Sequence, residues 1–192
     1  DLDLTVYGTQ QGRAVRAALW RLLAADGASG PRRLDARGAQ ALYAERSADT
    51  HMGFADFLAV EQRKVNQGVF HGRPYFLRFV LAPAEIEERY GDYRYEPCGR
   101  ATIMATVCDA RGDLFTPCRY ALAGVRFLSG SAWPELREIV SFRGRFCEQA
   151  GAGDVVRASG LVEQVQGRDG RTWQRLLMGN SADDTMILEA AA

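Results

Sequence analysis

Lysine is almost missing from this chain: Lys64 is the single one among 24 basic residues, and His51 and His71 are the only histidines. Neither histidine has a cysteine or another histidine at ligand spacing, so zinc coordination is not expected. The four cysteines, Cys98, Cys108, Cys118 and Cys147, form no C-x-x-C pair and read as reduced thiols. No sign of charge dominates, because the stretch ending at Asp92 and the stretch after it each carry twelve basic and twelve acidic residues. Neutralising phosphates supplies much of the affinity of a general nucleic-acid binder, so this balance does not favour that role. Long apolar runs are also lacking, and the stretch Tyr75 to Ala82 is broken by Arg78, which argues against a membrane span. There is no Gly-x-x-x-x-Gly-Lys-Ser/Thr phosphate loop and no Gly-x-Ser-x-Gly nucleophile elbow. No basic and apolar leader opens the sequence, which starts on Asp1, and the cytoplasm is the expected compartment.

What is present is an ordinary globular balance over 192 residues, 47% apolar and 25% charged, enough for two small domains. Leu2, Leu4 and Val6 alternate with Asp1, Asp3 and Thr5, the period of a strand with one buried face. Val15, Leu19, Leu22 and Leu23 then follow at helical spacing, with Thr9 as N-cap. Further helices are expected near 36–46 and from Phe54 to about Val65, then a strand over Tyr75 to Leu81 and a short helix from Pro83 to Arg89. Beyond residue 92 the texture becomes β-rich. Hairpins are expected around Asp109-Ala110-Arg111-Gly112 and Gly167-Arg168-Asp169-Gly170, with a strand over Ile139 to Phe146 between them. The expected architecture is α+β: an α/β domain over 1–92 and a small all-β barrel, possibly of the OB type, over 93–192.

Asp1 and Asp3 are two residues apart on a strand, so their carboxylates point the same way and can share a hard divalent cation such as Mg²⁺. Transfer of a phosphoryl or nucleotidyl group from a nucleoside triphosphate uses such an ion to bridge phosphates and neutralise charge. Alternating acids on an exposed strand are equally a surface pattern.

The run Asp1-Leu2-Asp3-Leu4-Thr5-Val6-Tyr7-Gly8, leading into an amphipathic helix, resembles the acidic strand of the DNA polymerase beta-like nucleotidyltransferase superfamily. The segments Glu61 to Gly68, Tyr75 to Arg78 and Phe142 to Gln149 are similar to a group of predicted nucleotidyltransferases of archaea and some bacteria, and that likeness spans nearly the whole chain. The resemblance implies a nucleotidyltransferase-like first domain, incomplete as the sequence stands. It also implies a Mg²⁺-dependent enzyme that moves a nucleoside monophosphate from a nucleoside triphosphate to an acceptor hydroxyl, with Asp1 and Asp3 as catalytic metal ligands. The superfamily places a Gly-Ser phosphate turn upstream of the acidic strand and a third carboxylate on a later strand. The strand at Pro74 to Val80 carries Arg78 and no acid, while Asp35, Asp49, Asp56 and Glu61 lie near in sequence. The alternative is a catalytically inactive protein of this fold whose barrel binds nucleic acid or a protein partner.

Arg63, Lys64, Asn66 and Gln67 form a polar run at the expected end of the third helix, candidates to contact nucleotide phosphates or a base; the same run also reads as a solvated helix end. Arg78, alternating with large apolar neighbours, calls for a carboxylate or phosphate partner, and Asp1 or Asp3 would serve. In the β-rich half Arg119, Tyr120, Phe142, Arg143, Arg145, Phe146, Arg157, Trp173 and Arg175 interleave basic and aromatic side chains. On a barrel face they would stack bases and hold phosphates; alternatively the arginines pair with Glu138, Glu148 and Glu163. Strand period puts Phe142 and Phe146 on one face and Arg143 and Arg145 on the other.

Overall fold

A computed structural model describes residues 2–25 and 29–190, a mixed α+β structure with two sheets and few helices. The chain opens with β1 (Leu2–Tyr7) and α1 (Thr9–Ala25), followed by α2 (Ala36–Arg46) and α3 (Phe54–Glu61). Then come β2 (Gln67–Phe70) and β3 (Arg73–Val80), and the small sheet has the order β1-β3-β2, with β1 parallel to β3. Leu2 and Val6 pack against a core of Tyr75, Leu77 and Phe79, as strand alternation requires. Leu4, expected on that buried face, is 55% exposed. Leu22, expected on the buried side of α1, is likewise exposed. The close seat of α1 depends on Gly12, where a Cβ would stand 3.1 Å from the Phe115 ring.

The second sheet begins with β4 (Tyr93–Gly112), a strand of 20 residues. It is followed by β5 (Cys118–Ser129), β6 (Leu136–Ser141), β7 (Val155–Gly167), β8 (Thr172–Met178) and β9 (Thr185–Glu189). Pairings run β4-β5-β6-β8-β7, and β7 also pairs along β4, so the strands form a partial, barrel-like ring with β9 added on β7. Ile103, Val107, Tyr120, Ile139, Val156 and Leu176 fill its interior.

Several boundaries differ from expectation. The first hairpin turns at 113–117, because Asp109 and Gly112 are still paired with Ala121 and Arg119. Helix α3 ends at Glu61 rather than near Val65, which frees Gln67 to open β2. The helix expected over Pro83 to Arg89 is a single 3-10 turn, Pro83–Glu85. The two halves share packing: Leu114 and Phe115 enter the core of the small sheet, and Ile187 of β9 joins Met52, Phe57 and Val60 of the helical layer.

Candidate functional site

Alternation on β3 turns Tyr75, Leu77 and Phe79 toward α1, which leaves Phe76 and Arg78 on the open face of the small sheet. Asp3 of β1 and Gln67 of β2 both stand beside Phe76 in register, so they share that face. Helix α2 lies across it. Its residues Gly38, Ala41, Leu42 and Glu45 follow helical spacing and line a groove of about 530 Å³ together with Asp3, Arg46, Gln67 and Phe76. Two residues singled out from sequence, Asp3 and Gln67, therefore meet in one groove. Asp1 lies outside the described residues. Glu45, absent from the sequence candidates, brings a second carboxylate to the groove from a helix rather than from a strand. The donors are hard oxygens, which suit Mg²⁺ in kind, and Asp3 and Glu45 are the residues that could hold such an ion. Among the described residues no group of three or more His, Cys, Asp or Glu is placed to hold a metal ion.

The other predicted contacts are placed differently. Lys64 is 1% exposed; its ammonium donates to Glu61 Oε1 at 2.6 Å and to the carbonyl of Arg145 at 2.6 Å, so a phosphate contact would require both to break. Asn66 is buried, and its backbone N–H, like that of Val65, donates to Glu148 Oε2 at 3.1 Å. Arg63 is held by Asp154 at 2.6 Å. Gln67 Oε1 accepts from Arg46 at 3.0 Å, and Arg46 also reaches Glu61 at 3.4 Å.

A second cleft, of about 500 Å³, adjoins the first and shares Arg46 and Phe76 with it. Arg78, Arg143 and Arg145 line it, with Asp49 as its one acid and Phe142 at its side. β6 ends at Ser141, and a 3-10 turn, Gly144–Phe146, follows. Phe142 is therefore 58% exposed while Phe146 is buried, and the shared face expected for the two rings does not form. Arg78 forms no ion pair with Asp3. Burial holds the Arg145 guanidinium below its usual range, and Asp49 is the leading group that acts to restore it. On the outside of the ring the arginines do pair with acids: Arg175 meets Glu163 at 2.8 Å and Arg119 lies 3.9 Å from Glu138. Sequence had placed Arg143 and Arg145 on one face and marked Arg78 apart from them; nothing in the spacing announced that one cleft would collect all three.

The fold and the two clefts define the chain at the level of a mixed α+β protein with a polar, arginine-rich face. It is similar to the uncharacterized protein MJ1086 of Methanocaldococcus jannaschii, with 26% identity over 183 residues, which is 95% of this chain and 51% of that protein. The chain thus spans about half the length of the curated relative it matches. No protein-family model matches the chain, and no solved structure matches it. No helix among the described residues is long and apolar enough to cross a membrane.

Proposed function

We propose that the groove between β1 and α2 is the nucleotide site of a Mg²⁺-dependent nucleotidyltransferase. In this reading the small sheet is the nucleotidyltransferase-like part, and the five-stranded ring is an OB-like barrel that serves acceptor binding. The observation that carries it is the meeting of Asp3, Glu45 and Gln67 around a single groove beside a cluster of arginines. Asp1 and Asp3 would hold the metal, and Glu45 would supply the further carboxylate that phosphoryl chemistry calls for. Arg46 and Gln67 meet the phosphates, and Phe76 offers a ring to the base. Mg²⁺ held there would supply positive charge against the developing negative charge of the triphosphate. The acceptor hydroxyl attacks the α-phosphorus, its proton goes to a carboxylate or solvent, and pyrophosphate leaves.

Calorimetric titration with a nucleoside triphosphate tests this. The expected result is binding that needs Mg²⁺ and that is lost in Asp3→Asn and strongly weakened in Glu45→Gln. Binding that is the same with and without Mg²⁺, or unchanged in Asp3→Asn, would overturn the reading.

A further inference from the structure

The arginine cleft is chemically distinct from the acidic groove beside it. We propose that it binds the phosphodiester backbone of a single-stranded nucleic acid, with the exposed Phe142 ring stacking on a base. The inference goes beyond nucleotidyl transfer at Asp3 and does not depend on it.

Charge is the first argument. Several arginines elsewhere in the chain meet carboxylates: Arg16 pairs with Asp113 and Glu148, Arg63 with Asp154, and Arg157 with Glu189. Arg78, Arg143 and Arg145 share one cleft, yet none of them forms an ion pair with a described carboxylate. Crowded cations repel unless an anion sits among them, and a chain with as many acids as bases has the means to pair them. A local positive cleft on a neutral protein is what a site for an anion requires, whatever the net charge.

The cleft is also built rather than merely exposed. The Arg143 Nε donates to the carbonyl of Gly179 at 3.2 Å, and its backbone N–H donates to Ser141 Oγ at 3.1 Å, leaving the terminal guanidinium nitrogens for a ligand. The Arg143 stem passes so close to Gly179 that a Cβ there would stand 2.6 Å from Arg143 Cγ. Lys64 and Gln149 anchor the carbonyl of Arg145 at 2.6 and 3.1 Å. Arg145 Nε is buried without a partner. The adjoining wall is fixed by Asp184, whose fully buried carboxylate accepts the N–H groups of Gly179, Asn180 and Ser181, each at 2.9 Å, and pairs with Arg100. Groups held this way lose little freedom when a ligand binds.

The ring argues for the class of ligand. Phosphate or polyphosphate gains nothing from an aromatic side chain, whereas a base stacks on one without regard to sequence. Phe142 stands 58% exposed at the cleft, next in sequence to Arg143.

The test is fluorescence anisotropy of a labelled single-stranded oligonucleotide with the full chain, without Mg²⁺ or nucleoside triphosphate, across a salt series. Those conditions keep this outcome separate from the fate of the acidic groove. Binding is expected to weaken with salt, with a log–log slope of about −0.7 for each phosphate contacted. Arg78→Ala, Arg143→Ala and Arg145→Ala are each expected to weaken it about tenfold or more and to flatten the slope. Phe142→Ala, a surface change that leaves folding intact, should weaken binding at every salt concentration with the slope unchanged. Arg157→Ala, away from the cleft, should match the parent. Absent or salt-insensitive binding would overturn the proposal, as would arginine variants that bind like the parent. So would full competition by inorganic tripolyphosphate together with an inert Phe142→Ala, which would reduce the site to one for a simple anion.

Discussion

Glu148 shows how much one side chain can organise. Its backbone lies in the left-handed region at φ 57, sparsely used by residues other than glycine. That placement lets its carboxylate take the N–H groups of Val65 and Asn66 and form an ion pair with Arg16, whose Nε lies 3.0 Å away, while Arg16 also grips Asp113 at 2.9 Å. Burial pushes both Asp113 and Glu148 above the ordinary carboxylate range, and Arg16 pulls each back. Because the native state then binds more protons than the unfolded one, these groups make stability fall as pH rises from the ordinary carboxyl range through the raised values. Arg16→Ala leaves two buried carboxylates without their cation. It is expected to cost about 3 kcal/mol at neutral pH, and the loss should shrink at mildly acidic pH as the carboxylates take up protons. Urea denaturation at the two pH values checks both statements. None of this was legible in sequence, since Arg16, Asp113 and Glu148 belong to three distant segments and only folding brings them together. Lys64 teaches the same lesson: its place in a polar run suggested a phosphate contact, whereas the folded chain spends its charge on Glu61 and the Arg145 carbonyl.

Among elements, the connection between β8 and β9 decides the shape of the arginine cleft. Gly179 has φ 101, where a side chain is strained, and its missing Cβ is what lets the Arg143 stem pass. Gly179→Ala is expected to cost about 1–3 kcal/mol of stability in thermal melts and to displace Arg143. The elements read well from sequence were those with an unambiguous period: β1, α1, β3 and the β7–β8 hairpin at Gly167 to Gly170. Those misread had their pattern overruled by neighbours. β6 stops at Ser141 because its hydroxyl donates to the carbonyl of Met178 and accepts the N–H of Arg143, turning the chain. α3 ends early because Val65 and Asn66 turn their N–H groups to Glu148 instead of to a further helical turn. β9 was missed because Thr185–Glu189 is short and gains its identity only by pairing with β7.

The whole molecule is held by cores that cross between its halves. Leu114 and Phe115 complete the core of the small sheet, Ile187 completes that of the helices, and the backbone of Thr116 donates to Phe79. Stretches that share cores in this way should unfold together. Denaturation is expected to give one transition, coincident by far-ultraviolet circular dichroism and by tryptophan fluorescence, which reports Trp20 in one half and Trp133 and Trp173 in the other. Two separated transitions would refute this. At this scale the sequence disclosed the change of texture near residue 92 and the open acidic strand. The cleft itself stayed hidden, because its walls come from α2, β3, the end of β6 and the β8–β9 connection, and no local pattern records that meeting.

One consequence follows from the seclusion of Lys64. With the single lysine sealed inside, the fixed positive charge at the surface of the described residues is carried by guanidinium groups. Guanidinium keeps its proton across the whole physiological range, and acetylating enzymes that act on ε-amines find no substrate on this face. The grip of the arginine cleft is therefore a constant of the fold, tuned by surrounding salt and by the charge of what enters it rather than by acidity or by acylation of the protein.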